Sequence, residues 1–350
     1  FLLLSFLISY IFNIGCSEHK IWSEINIGKF FKMESNTEYI GSIKCVNANL
    51  GNKESKISNS HWSVHFSPIL WVTRPFFKTP ESFWILKFIL SLIAVISLCY
   101  ICRGNQILYF MTLPSFFIYN SCLYYGFFEI CFFPCFFFFA FYFAEKKNYN
   151  LAFITLLFAL TIREDIGGWA TIFFIFLFIV TKDKKVIKYI IIFIIITFII
   201  QIIIHPFLYN MYGGSQQLQL KNKYIWLGHN FNEYISNIKN NFIVLIAPPQ
   251  YVKKIILIIL FLPSFLFLKK KLILPLVLIS PFYYLHYMMG HQAQANLFAY
   301  HYAIPFFSFL MGIVIFYRNE IDIPKIFIFY NIILSISFCI NWIFVLNIYK

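Results

Sequence analysis

The apolar positions of this chain fall in long unbroken blocks, not at the spacings of a half-buried strand or a one-faced helix. Runs near 83–101, 107–121, 127–144, 151–162, 166–180 and 186–206 are followed by others near 242–247, 251–268, 272–289, 299–317 and 325–347. A helix apolar all round needs lipid or other helices around it, so the pattern predicts an all-α polytopic membrane protein. The run at 1–13 falls short of the roughly 20 residues that cross a bilayer, and reads as a first helix whose start lies before Phe1. A signal-peptide core is the rival reading, although neither a basic flank nor a small-residue cleavage site accompanies it. Polar stretches at 14–82 and 207–241 read as loops, and no repeat or self-sufficient soluble unit interrupts the chain, so 1–350 reads as a single integral membrane domain.

Composition agrees: hydrophobic residues make up 60% and charged residues 12%, which excludes an ordinary soluble globule. The net charge of +14 raises the question of nucleic acid, but the basic residues form short clusters between apolar runs instead of one interleaved stripe. They read as topology signals, and no nucleic-acid partner is expected. The clusters are Arg103, Lys146–Lys147, Lys182/Lys184/Lys185/Lys188, Lys269–Lys271 and Arg318/Lys325. If all are cytoplasmic, as basic residues in short loops tend to be, each stretch between neighbouring clusters crosses the membrane an even number of times.

The stretch 151–180 tests this rule. Read as one helix, it would bury Arg163-Glu164-Asp165 at mid-bilayer, at about 2.5–3.5 kcal/mol per charge. Read as a hairpin turning at Arg163-Glu164-Asp165-Ile166-Gly167-Gly168, it keeps Lys147 and Lys182 on one side, and paired glycines suit a tight break. Its arms would be short, about 18 and 22 Å at 1.5 Å per residue, leaving the tip recessed. The same parity predicts hairpins at 107–144, turning at Tyr124–Glu129, and at 272–317, turning near His291-Gln292-Ala293-Gln294 and on to His301-Tyr302. The expected total is about eleven transmembrane helices, with the N-terminus inside and the loops 14–82 and 207–241 outside. Lys253 and Lys254 fall on the nominal outer side, where snorkelling would accommodate them.

On that topology the polar residues with chemistry gather at the outer face, and so do all eight histidines. Arg163-Glu164-Asp165 is the sharpest cluster, since Asp165 is one of three aspartates in the chain and intramembrane charges are functional candidates by default. A structural ion pair is its plain alternative. Glu129, among Tyr124, Tyr125 and phenylalanines, suits proton transfer or else a snorkelling role. His61-Trp62-Ser63-Val64-His65-Phe66-Ser67-Pro68 reads as an interfacial turn or a ligand contact, and His205-Pro206 as a helix end. His291, Gln292, Gln294, Asn296, His301 and Tyr302 interrupt a further hairpin and could hydrogen-bond a sugar or phosphate. The eight cysteines show no metal-ligand spacing and read as buried thiols, with Cys16 and Cys45 a candidate disulfide if their loop faces an oxidising compartment.

The ordered set His65-Phe66-Ser67-Pro68-Ile69-Leu70 with Arg74-Pro75-Phe76-Phe77, Phe127-Phe128-Glu129 with Pro134, Arg163-Glu164-Asp165, and His301-Tyr302 with Pro305 resembles a known pattern. It is that of the bacterial and archaeal membrane proteins of unknown function that are similar to GT-C glycosyltransferases. The resemblance covers about residues 60–310. It implies a GT-C-like fold in a prokaryotic plasma membrane, with sugar transfer from a polyprenyl-phosphate donor on the outer face. It also implies roles: Asp165 or Glu164 as base or ligand to a divalent cation, Arg163 and His301 on the phosphate, and His65 and Glu129 orienting, with His291, Gln294 and Tyr302 as further substrate contacts. GT-C enzymes place an acid in the first outer loop; 14–82 contains no aspartate, and Glu24 is the substitute the sequence offers. A transporter or lipid flippase and an inactive GT-C-like assembly protein are the competing readings. A translocation path would spread polar residues over several depths and both faces.

Overall fold

The computed structural model describes residues 67–69, 72, 80–113, 129–204, 206–207, 233, 236, 262–283, 303–334 and 336, and these are helical or in helix connections, without strands. Helices α1 (Pro80–Ile101) and α2 (Asn105–Thr112) are followed, after a 3-10 turn at Glu129–Phe132, by α3 (Phe133–Glu145) and α4 (Tyr149–Ala159). Then come α5 (Ile166–Thr181), α6 (Ile187–Ile199) running into a π turn at Ile200–Ile204, a 3-10 segment at Leu262–Leu272, α7 (Ile273–Tyr283) and α8 (Ala303–Phe316). The last described helix is α9 (Lys325–Leu334).

Local chemistry sets several of these limits. Pro80 and Pro134 sit in first turns, where a missing N–H costs nothing. Asn148 caps α4 by accepting from Leu151 N at 3.2 Å. The run expected at 107–121 stops being helical at Thr112, since Leu113 is extended at φ −63°, ψ 125°. The cause is Pro114, whose ring disfavours the helical region for the residue before it.

Packing centres on an aromatic column shared by α3, α5 and α8. Phe137 stacks on Phe133 at 3.9 Å, and Phe141 meets Phe173 edge-on at 4.8 Å and Phe309 at 5.2 Å. A Cβ built on Gly312 would land in the Phe141 ring, so the glycine lets α8 close onto α3. Lipid tails are as apolar as phenylalanine, so this core gains from close contact and edge-to-face geometry more than from leaving water. Phe153 of α4 and Phe174 of α5 both reach Tyr189 and Phe193, which places α6 against both arms of the 151–180 hairpin. The start of α4 and the end of α5 lie at one end, so the arms run antiparallel, with α6 packed against both.

The basic clusters come together at one end of the bundle. There Arg318 Nη2 meets Glu145 Oε2 at 3.0 Å, its guanidinium lies 4.8 Å from the centre of the Tyr142 ring, and its carbonyl accepts from Gln106 Nε2 at 2.7 Å. Asn319 also donates to Glu145, and Lys271 pairs with Glu320. The hydroxyl of Tyr189 donates to Asn150 and so brings the start of α6 to the start of α4. Four connections at this end turn through residues of positive φ: Gly104, Lys147, Lys182 and Lys269, with φ between 53° and 57°.

One helical stretch among the described residues, Lys184–Ile204 with 21 residues, is long and apolar enough to cross a bilayer by itself. Shorter apolar helical stretches found there run 10–17 residues. The described residues thus give nine α-helices and one clear span where about eleven crossings were expected. Prolines and polar tips shorten the individual helices. The outward faces remain apolar all the same: Ile191, Ile195 and Phe198 on α6, Ile202 in the π turn after it, and Ile326, Phe329 and Ile333 on α9 are exposed, as lipid-facing surfaces are.

Candidate functional site

The end opposite the lysine turns is built around the break between α4 and α5. Thr161 N donates to Phe158 O at 3.0 Å and Ile162 N to Ala159 O at 3.0 Å, ending α4 in tight turns before Arg163. Helix α5 then starts at Ile166, with Ile166 N on Arg163 O at 3.1 Å and Gly168 N on Asp165 O at 3.1 Å. The glycines expected to make the break are in the first turn of α5 instead. A Cβ on Gly167 would overlap Thr197 Oγ1 and lie 3.0 Å from Thr197 Cβ, so Gly167 serves the approach of α6.

Asp165 stands at the position before α5, where an aspartate ordinarily caps the helix, yet its side chain makes no capping bond. It turns back to Arg163: Nε donates to Oδ1 at 2.7 Å, and Nη2 donates to Oδ2. The fork engages both carboxylate oxygens. Arg163, Glu164 and Asp165 are 2%, 8% and 4% exposed, so three ionisable side chains share one nearly closed site.

Two segments distant in sequence dock on this tip. Ile69 N donates to Thr161 O at 2.9 Å, and Ser67 beside it is fully buried. The Ser67-Pro68-Ile69 part of the first-loop motif is therefore brought to the Arg163-Glu164-Asp165 turn. From the other side, Gln201 Nε2 approaches Glu164 O at 3.4 Å, a long contact delivered by the π turn that ends α6. Such turns are frequent at functional sites. The backbone of Glu129 belongs to the turn leading into α3, and Phe133 one turn on meets Trp169 of α5 at 6.1 Å. That puts the entry to α3 at the level of the tip.

Gln201 and Thr197 were missed by the sequence reading. They are the only polar residues between Tyr189 and His205, four apart in an isoleucine-rich run, and that spacing on one helix face was the available signal. Glu24, His65, His291, Gln294, His301 and Tyr302 lie outside the described residues, as do Cys16 and Cys45, and of Glu129 the backbone alone is described. Cys99, Cys102, Cys131 and Cys135 form no disulfide; the last three are buried as expected, whereas Cys99 is exposed. Among the described residues no group of three or more His, Cys, Asp or Glu side chains has the arrangement of a metal site.

No curated protein and no solved structure matches the chain. A family model, described as a predicted membrane protein family and designated DUF2079, matches residues 4–350. With a buried charged tip, a lysine-turned opposite end, apolar outward faces and a match over nearly its whole length, the chain belongs to the DUF2079 family of predicted membrane proteins.

Proposed function

We propose that the Arg163-Glu164-Asp165 tip is the reaction centre of a GT-C-like membrane glycosyltransferase that takes its sugar from a polyprenyl-phosphate donor. The observation that carries the reading is the buried two-point pair between Arg163 and Asp165, next to a second carboxylate, at a helix break on the end away from the lysines. A static pair in this position holds a cation in fixed orientation, which is what recognition of a phosphate leaving group needs.

The Arg163–Asp165 pair supports a different division of the roles implied by the resemblance. Both oxygens of Asp165 are engaged by Arg163, so Asp165 is the residue that positions the guanidinium, and Glu164 takes the part of general base or cation ligand. In the transfer, Glu164 accepts the proton of the acceptor hydroxyl while the acceptor oxygen bonds to the anomeric carbon. The bond from that carbon to the donor phosphate breaks, and the bond's electron pair leaves with the lipid phosphate, whose charge Arg163 and His301 offset. His65, Glu129, His291, Gln294 and Tyr302 orient the sugar, and Glu24 is the first-loop acid.

A second reading, a GT-C-like assembly protein without catalysis, is favoured by the closure of the tip to 2–8% exposure. Transfer of radiolabelled sugar from polyprenyl-phosphate donors in proteoliposomes separates the two. The catalytic reading expects Glu164→Gln to lose about 100-fold or more and Asp165→Asn to lose activity with weakened donor binding. Undiminished transfer by Glu164→Gln removes Glu164 from the mechanism. Folded wild type that transfers from no donor supports the assembly reading.

A further inference from the structure

The charge at the opposite end is not spread evenly among its turns. The α3–α4 turn carries Lys146 and Lys147, and the α5–α6 turn carries Lys182, Lys184 and Lys185 with Lys188 in the first turn of α6, all six exposed. Tyr189 donating to Asn150, together with the contact of Phe153 and Tyr189 at 5.0 Å, fixes the two turns side by side. Two acids lie in them. Glu145 is engaged by Arg318 and Asn319, with Lys146 at 3.7 Å, and Asp183 accepts from the backbone N of Lys185 at 2.9 Å. The other turns at this end carry less free charge: Lys269 and Lys270 are exposed, but Lys271 beside them is paired with Glu320, Arg318 is drawn into the bundle, and Arg103 and Lys325 stand singly.

This lysine platform also sits at the foot of an apolar wall. The exposed face of α6 continues from Lys184 and Lys188 through Ile191, Ile195, Phe198 and Ile202. A partner that fits must therefore present concentrated negative charge next to an aliphatic body, both along one helix axis. A soluble anion has the first property alone, and a neutral lipid the second. An acidic phospholipid has both, its phosphate reaching the lysines and its chains the isoleucines.

We propose that the α3–α4 and α5–α6 turns form a docking surface for anionic phospholipid headgroups, seated on Lys146, Lys147, Lys182, Lys184, Lys185 and Lys188, with the acyl chains along α6. The surface is independent of the tip on the opposite end and of any reaction there.

Spin-labelled lipids test it. The full chain is reconstituted in phosphatidylcholine bilayers doped with spin-labelled phosphatidylglycerol or spin-labelled phosphatidylcholine, and the motionally restricted fraction is read by electron spin resonance. The expected result is a preference for phosphatidylglycerol of about threefold or more, reduced at high salt as screening dictates. Lys184→Gln/Lys185→Gln/Lys188→Gln abolishes the preference, and the corresponding triple Arg variant keeps it. Equal restriction of the two labels by the wild type overturns the proposal, as does a preference that survives in the Gln variant or vanishes in the Arg variant. Tight capture of an acidic peptide or an oligonucleotide by protein already in phosphatidylglycerol-rich bilayers also overturns it, because lipid would then not be the occupant.

Discussion

Arg163 and Asp165 close on each other across two positions of the chain, the guanidinium taking both carboxylate oxygens inside a turn where an aspartate would ordinarily cap the next helix. Helix α5 begins without that side-chain bond, so the ion pair replaces a local helix signal with a contact that spans the break. The pair lies in the turn between α4 and α5, and the Ser67–Ile69 stretch docks beside it through Ile69 N on Thr161 O.

The pair predicts a non-additive stability pattern. Arg163→Leu or Asp165→Leu alone leaves one charge buried without its counterpart and is expected to cost about 3–5 kcal/mol, whereas the double variant costs much less than the sum. Thermal unfolding in a mild detergent reads this cycle. Additive losses would mean that the two residues act separately.

Gly167 predicts a steric couple with Thr197. Gly167→Ala places a methyl group against Thr197 Oγ1 and Cβ, with Leu160 Cδ2 at 3.3 Å, and is expected to cost about 1–3 kcal/mol. Thr197→Ala in the same background should restore most of that, since the overlapping hydroxyl is gone. By itself Thr197→Ala gives up only a bond to Phe193 O at 2.6 Å on its own helix. A compound variant no more stable than Gly167→Ala would rule out the close approach as the cause.

Two ion pairs at the lysine end should differ in worth. The Arg318–Glu145 side chains are 9% and 12% exposed, and Glu145 also takes Asn319, so Glu145→Gln is expected to cost about 1.5–3 kcal/mol. Lys271 and Glu320 are 32% and 60% exposed, and Glu320→Gln is expected to cost about 0–1 kcal/mol. Chemical-denaturant midpoints of the two variants, compared side by side, give the ranking; a larger loss at Glu320 would reverse it.

How much was legible in the sequence follows from the range of each interaction. Apolar blocks and lysine clusters are local in the chain, so the helical class, the hairpin at 151–180 and the gathering of basic turns at one end could be read from residue order and the cost of burying charge. Likewise Arg163-Glu164-Asp165 stood out because three charges between apolar runs demand an explanation. The order of residues was silent on what those charges do to one another: that Asp165 turns to Arg163 and not to the α5 backbone, and that Gly167 admits α6 instead of bending the chain. It was also silent on Gln201 and Ile69, which reach the tip across 37 residues and from the far side of α1–α3. Those relations depend on which helix faces meet, and a chain apolar on every face carries no amphipathic stripe to announce them. The sequence by itself determined the class of the molecule and where its charges lie. Close packing of aromatic rings and small residues in three dimensions decided which of them meet.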